Sequence, residues 1–191
     1  MTTTLDLFGG WRRAHGPALR LFLAIATILA LTFTSFSQSP DALVASGRVH
    51  LANRDLAKAK ADFAAAVNAA PDHAAANVLY AATRLLTLPD QTNVKAFLDR
   101  LGVETQGRQI YNWTADLKRD TNGDPVFPGG ITAQEALDVF RSDALPEIAG
   151  AEANLAKVTD AGFVLSLSKA ETAIAAVKID YADVLMMRAL L

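Results

Sequence analysis

Residues 43–71, LVASGRVHLANRDLAKAKADFAAAVNAAP, decide the fold that this sequence predicts. Gly47 lies on a first predicted helix, and Ala59 and Phe63 lie on a second. Gly47 and Ala59 have almost no side chain, so two antiparallel helices can approach closely while Phe63 fills the space beside them. Pro71 cannot continue a helix and enforces the next turn. The stretch therefore predicts a tight helical hairpin.

The spacing of large, small and proline positions in this stretch resembles a tetratricopeptide repeat, a helix–turn–helix unit of about 34 residues. Leu43 takes the first large apolar position, and Ala66 completes the small–aromatic–small triplet around Phe63. One repeat length later, Phe97 matches its position but Asn77 does not, so the second unit is degenerate. The resemblance implies stacked antiparallel hairpins that bind or scaffold other proteins.

The N-terminus has the features of an export signal. Three arginines precede an apolar run at residues 21–33, and residues 34–37 are rich in small side chains, as in a secretory signal peptide. The run is shorter than the roughly 20 residues that a membrane-spanning helix needs. We predict that residues 1–37 are a signal peptide, with an N-terminal membrane anchor as the alternative. The protein is then exported, to the periplasm, the cell surface or the medium.

The composition narrows the class of protein. The chain has 191 residues, enough for one domain with a core, and 51% of them are hydrophobic. The net charge of -2 does not point to a nucleic-acid partner. The absence of cysteine excludes disulfides and a cysteine-ligated metal, and the sequence lacks common catalytic and nucleotide-binding motifs. We predict a non-enzymatic protein with protein or peptide partners, which contacts a membrane only through an uncleaved N-terminus.

The predicted fold class is all-α, with a loop between two helical parts. Residues 38–102 form the hairpins, where the repeat resemblance is clear over residues 40–73 and degenerate over residues 74–102. Residues 103–131 are rich in glycine and proline and have no apolar helical stripe, which predicts an irregular loop. Residues 132–191 return to helical spacing and are expected to cap the stack.

The last predicted helix starts at a capping box, Ser168 and Glu171, and runs to the end of the sequence. In residues 184–191 only Arg188 is polar, and a helix that is apolar all round needs burial on every side. This pattern predicts that the chain continues into a longer parent protein. The alternative is that these apolar side chains pack on the other helices of the same domain.

The repeat resemblance also implies a binding groove, lined by the first helix of each hairpin. On that basis the candidate groove residues are Asn53, Asn77, Tyr80 and Arg84. Their assignment to the groove rests only on the helix face on which each residue is expected to lie. A peptide or helix of a partner protein is the expected occupant.

The irregular loop contains a candidate calcium site. Asp120, Asn122 and Asp124 have the one-three-five spacing with which oxygen ligands begin a calcium-binding loop. The match fails further on, because Pro125 replaces the required glycine and Ile131 replaces the bidentate glutamate. An Asn-Gly turn flanked by aspartates is the alternative explanation. No other cofactor is predicted.

The loop also offers a candidate aromatic platform, formed by Tyr111, Trp113 and Phe127, that would bind a peptide or a sugar. These side chains alternatively cover the adjacent core. Two further hypotheses therefore stand beside the exported interaction or scaffold module. One is a surface domain that binds a ligand or calcium through residues 103–131, and the other is a helical spacer of a larger cell-surface protein. The sequence names neither the partner nor the process nor the oligomeric state.

Overall fold

The computed structural model describes residues 38–109, 113–126 and 128–191. The signal peptide or anchor predicted for residues 1–37 lies outside the described residues. So do Tyr111 and Phe127, two of the three residues of the predicted aromatic platform.

The described chain is mainly helical and contains a small two-stranded sheet. Its elements in chain order are α1 (Pro40–Ala52), α2 (Leu56–Ala69), α3 (Ala74–Leu86), a 3-10 turn (Leu88–Asp90), α4 (Thr92–Arg100), α5 (Ala133–Val139), a π-helical turn (Phe140–Ala144), α6 (Leu145–Leu155), β1 (Val164–Leu167), α7 (Lys169–Thr172), β2 (Val177–Asp180) and α8 (Tyr181–Leu190). The mainly helical class is confirmed, and the small sheet is an addition that the sequence did not predict. Among the described residues, no helix is both long and apolar enough to cross a membrane.

Helices α1 and α2 pack along each other across a three-residue turn. The side chains of Ser39 and Asp55 cap the two helices by accepting backbone N–H groups of the first turn. Gly47 lies against the fully buried Phe63 ring, and a Cβ at Gly47 would collide with that ring. The contact that the sequence predicted for these two residues is therefore present, and it permits the close approach of the helices.

Helix α3 packs on α2 with one face and on α6 with another. Asn77 of α3 is fully buried, and its Oδ1 accepts a hydrogen bond of 2.9 Å from Asn154 of α6. Gly150 of α6 lies against the Arg84 guanidinium, which a Cβ at that position would displace. The sequence predicted that α4, the next helix in the chain, would form a hairpin with α3. In the structure α3 instead packs on α6, which follows it in the chain only after residues 87–144.

We call residues 87–144 the excursion. In it, α4 contacts the 3-10 turn and α5, while an ion pair joins Arg100 of α4 to Glu135 of α5. The amide of Asn93 donates to Asp143 of the π-helical turn at 3.0 Å. The predicted irregular loop occupies most of the remainder, with isolated antiparallel bridges and no helix among its described residues.

The C-terminal part differs most from the prediction. Ser168 and Glu171 form the predicted capping box, but the helix that they start, α7, ends at Thr172. Ala173 has a left-handed φ of 70°, which stops the helix. The chain then enters β2, which pairs antiparallel with β1 through partners such as Leu165 and Ile179. The last predicted helix is thus two helices separated by a strand.

Helix α8 buries one face and exposes the other. Val184 is fully buried, whereas Leu185, Met186 and Leu190 are exposed, with Leu190 at 78%. The alternative in which these three side chains pack on the other helices of the same domain is therefore wrong for the described residues. The start of α8 is set by Asp180, whose side chain accepts the N–H groups of the first turn in a capping box with Asp183.

Candidate functional site

A cleft of about 730 Å³ opens beside the turn between α1 and α2. Three segments line it: residues 53–57 of the turn and the start of α2, residues 105–109 of the loop, and Leu86 with Asp90 near the end of α3. Its volume lies within the range of about 300–1,000 Å³ that is usual for ligand-binding clefts. The cleft therefore lies where the first hairpin meets the excursion.

The turn between α1 and α2 forms one wall of the cleft, and two charged residues determine the shape of this turn. Arg54 has a left-handed φ of 64°, and its Nη1 donates to the carbonyls of Leu51 (3.1 Å) and Glu171 (3.2 Å). Asp55 accepts the N–H of Lys58 at 3.1 Å and pairs with its Nζ at 2.7 Å. Hydrogen bonds from Lys58 hold the pKa of Asp55 below its usual value. The Asp55 carboxylate at this wall stays ionised, and its negative charge is balanced by Lys58 of the same helix.

Arg108 forms the opposite wall. Its side chain is only 8% exposed and pairs with Asp99 of α4 at 2.6 Å, while Nη2 donates to the carbonyl of Val103. The Nε–H is buried and has no hydrogen-bond partner among the described residues. Gly107 has a left-handed φ of 89°, and a Cβ there would collide with Thr114. The loop thus folds back tightly enough to place Arg108 in the lining of the cleft, with most of its side chain buried.

A smaller cleft of about 290 Å³ adjoins the first, because Ala57 and Asp90 line both. Lys60 lines the smaller cleft and donates to Thr87 Oγ1 at 3.2 Å and to Glu147 Oε1 at 3.0 Å. The other carboxylate oxygen, Glu147 Oε2, lies 3.0 Å from Arg84 Nε without an aligned N–H, so this contact is an ion pair and not a hydrogen bond. The cluster connects α2, α3 and α6.

The structure separates the four predicted groove residues. Asn53 lines the larger cleft. Asn77 is fully buried, so the prediction that it lines an open groove is wrong. Arg84 lies over the Tyr80 ring at 4.9 Å and pairs with Glu147 of α6. Helix α6 therefore covers the part of α3 that the sequence assigned to a groove.

The candidate calcium residues form a turn that satisfies its own polar groups. Asp120 Oδ1 accepts the backbone N–H groups of Asn122 (2.8 Å) and Asp124 (2.9 Å), as expected for an Asn-Gly turn flanked by aspartates. Within the described ranges, no three or more His, Asp or Glu side chains are grouped so that they could hold a metal ion. Trp113, the described member of the aromatic platform, is half exposed and donates to the carbonyl of Ala115 at 3.0 Å.

The described lining of the larger cleft offers hydrogen-bond donors and acceptors. Its amides, hydroxyl and charged groups suit recognition of a polar ligand. Sequence reasoning missed Arg108, Thr105 and Gln106, because no motif connects them to residues 53–57, about fifty positions earlier. No family model matches this chain, and neither does any curated protein or solved structure.

Proposed function

We propose that this protein is an exported helical module that binds a protein partner, and that the larger cleft holds a peptide segment of that partner. The observation that carries the proposal is the cleft itself, since it is large enough for several residues of an extended peptide. The proposal assigns no catalytic step to the chain.

The lining of the cleft matches the groups of a peptide. The carboxamides of Asn53 and Gln106 each offer a donor and an acceptor, which is what a peptide backbone requires. Leu56 and Leu86 add apolar surface to the same cleft. Cleft surfaces that combine polar and apolar groups favour binding of a segment with mixed side chains.

The position of the cleft also supports this function. One wall belongs to the hairpin, whose core residues Phe63 and Ala59 are fully buried, and the other belongs to the loop of the excursion. Ligand-binding residues commonly lie on loops that a packed scaffold holds in place. We place the peptide in this cleft and not on α3, because α6 packs on α3 where the sequence predicted a groove.

Site-specific photocrosslinking in the cells that make the protein tests this function. We would place a photoreactive residue at Gln106, which is exposed and lines the cleft, and a matched one at Asn68, which is exposed at the far end of α2. We expect a discrete adduct of higher mass from position 106 only. Equal adducts at both positions, or none at position 106, would contradict the proposal.

Export is tested separately on the same native protein. Fractionation followed by intact-mass measurement should find the chain outside the cytoplasm, with residues 1–37 removed or retained as an anchor. Recovery of the full-length chain only in the cytoplasm would contradict the exported part of the proposal. It would leave the peptide-binding part to the crosslinking result.

A further inference from the structure

We propose that His73 is a pH-sensitive cap of α3: it holds the first turn of this helix only while its ring is neutral, and protonation of the ring loosens that turn. The inference goes beyond the proposed function and does not depend on the cleft beside α2. It rests on the hydrogen bonds of one ring and on a comparison with the caps of the other helices.

The His73 ring is bonded at both nitrogens. Its Nδ1 accepts the backbone N–H of Ala76 at 3.2 Å and so caps α3. Its Nε2 lies 2.9 Å from Asp41 Oδ1 on α1, and an ionised carboxylate only accepts hydrogen bonds. The two contacts together require a neutral ring that carries its proton on Nε2 and donates to Asp41.

Protonation ends this cap, because an imidazolium ring is a donor at both nitrogens. The Nδ1–H of His73 would then point at the N–H of Ala76, and neither group is an acceptor for the other. The added positive charge would also lie at the N-terminus of α3, where the helix dipole disfavours a cation. Both effects favour release of the ring from the first turn.

The charged groups near the ring oppose this release only in part. Asp41 attracts an imidazolium, but its side chain is 89% exposed, so solvent weakens the attraction. Asp72, the neighbour of His73 in the turn, is also exposed, and its carboxylate lies 3.7 Å from the ammonium of Lys157, which follows α6. Exposed ion pairs of this kind contribute little, whereas the lost cap and the helix dipole act together.

The caps of the other described helices keep their acceptors over the same pH interval. The side chains that cap α1, α2, α5, α7 and α8 all accept through oxygen, and they belong to Ser39, Asp55, Thr132, Ser168 and Asp180. Hydroxyl groups and ionised carboxylates remain acceptors between about pH 8 and about pH 5, whereas histidine changes its charge there. Among the side-chain caps of the described helices, the one on α3 therefore responds to pH in this interval.

The first turn of α3 is also where α3 meets α6. Asn77 of this turn donates to the carbonyls of Pro71 (2.8 Å) and His73 (3.1 Å), and it accepts from Asn154 of α6. A cleft of about 500 Å³ lies between Ala74 and the residues that follow α6. Release of the cap should therefore loosen the contact between the start of α3 and the end of α6.

The test is nuclear magnetic resonance on the ¹⁵N-labelled native protein between about pH 8 and about pH 5. A long-range ¹H–¹⁵N spectrum reads the protonation of each ring nitrogen, and hydrogen exchange, divided by the intrinsic rate at each pH, reads the opening of the Ala76 and Asn77 amides. We expect a neutral ring with its proton on Nε2 at the upper pH. Protection of the two amides should fall about fivefold as the ring is protonated, the factor that corresponds to a typical cap. The Ala66 amide of α2 should keep its protection.

Three variants separate the cap from the ring. His73→Asn keeps a capping oxygen that does not titrate, so Ala76 should stay protected at both ends of the pH range. His73→Ala removes the cap, so Ala76 should be weakly protected at both ends. His50→Asn is the matched control, because His50 lies on α1 and does not cap α3, and it should keep the native pH response at Ala76.

Three results would overturn the inference. The first is a neutral His73 ring that carries its proton on Nδ1, and the second is unchanged protection of Ala76 while the ring becomes protonated. The third is a pH response at Ala76 that survives in His73→Asn. The crosslinking result at position 106 is decided separately, so the proposed function and this cap can fail independently of each other.

Discussion

Two helix pairs of this protein, α1 with α2 and α3 with α6, differ in how far apart their members lie in the chain. Three residues separate α1 from α2, whereas residues 87–144 separate α3 from α6. The first pair meets through Gly47 and Phe63, and the second through a hydrogen bond between Asn77 and Asn154. The sequence predicted the first pair because its two helices follow each other in the chain, and it missed the second because residues 87–144 lie between its members.

The largest loss of stability is expected when the buried side chain of Phe63 in the first hairpin is truncated. Phe63 is fully buried, so Phe63→Ala leaves a cavity and should lower the free energy of unfolding by about 3–5 kcal/mol. Urea denaturation followed by circular dichroism measures this loss. Val49→Ala on exposed surface of the same hairpin is the control and should change stability by less than about 0.5 kcal/mol. A loss below about 1 kcal/mol at Phe63 would show that the hairpin contact does not stabilise the fold.

The next largest effect concerns the ion pair that ties the first hairpin to α7. Burial raises the pKa of Glu171, but hydrogen bonds from Arg48 and Ser168 outweigh it and lower the pKa to about 2 from 4.5. Because the pKa of Glu171 is lower in the folded than in the unfolded state, the ionised carboxylate stabilises the fold fully above about pH 4.5. This stabilisation is lost as the pH falls towards 2. Linkage converts the shift into about 3 kcal/mol of stability.

Denaturation midpoints measured from pH 6 down to about pH 2 test this linkage. Glu171→Gln should flatten much of the decline, because a neutral amide has no proton to gain. The matched variant Glu104→Gln changes an exposed glutamate and should keep the decline of the native protein. Parallel curves for the native protein and for Glu171→Gln would rule out this role of the pair.

The second helix pair should respond to loss of its amide contact. Asn154→Ala leaves the buried Oδ1 of Asn77 without this donor and should cost about 1–3 kcal/mol. A double-mutant cycle with Asn77→Ala should give a coupling energy of about 0.5–3 kcal/mol, because the residues are in contact. Additive effects of the two substitutions would indicate that α3 and α6 do not meet at this point.

The smallest effect is expected inside the excursion. Thr132 caps α5 by accepting the N–H of Glu135 at 3.2 Å, so Thr132→Ala should cost about 1 kcal/mol. Hydrogen exchange should show faster opening of α5 with unchanged protection of α3 and α6, because residues of the excursion open locally. Equal loss of protection in α3 would mean that the excursion and the helix pair form one cooperative unit.

The parts of the fold that are local in sequence were predicted well. Ser168 and Glu171 form the predicted capping box, and Gly47 contacts Phe63, since both contacts involve residues within a few turns of one another. Such contacts leave a recognisable spacing. The mainly helical class follows from the same periodicities.

The C-terminal strands and the α6 partner could not be predicted for physical reasons. β2 has four residues, too few for alternation to be distinguished from a helical pattern. Helix α7 is stopped by Ala173, a residue type that rarely adopts a left-handed φ. Of the candidate groove residues, Asn53 lies in the lining of the larger cleft. Arg108 was missed, because its proximity to the α2 turn depends on the path of the excursion.

The most direct test of this account is a nuclear Overhauser spectrum of the native protein, read for contacts of α3. The account predicts contacts between α3 and α6, led by the side-chain amide of Asn154 with Asn77. A hairpin of α3 with the next helix would instead bring Ala81 to Phe97, the positions one repeat after Gly47 and Phe63. Contacts between Ala81 and Phe97 with none from α3 to α6 would contradict the account.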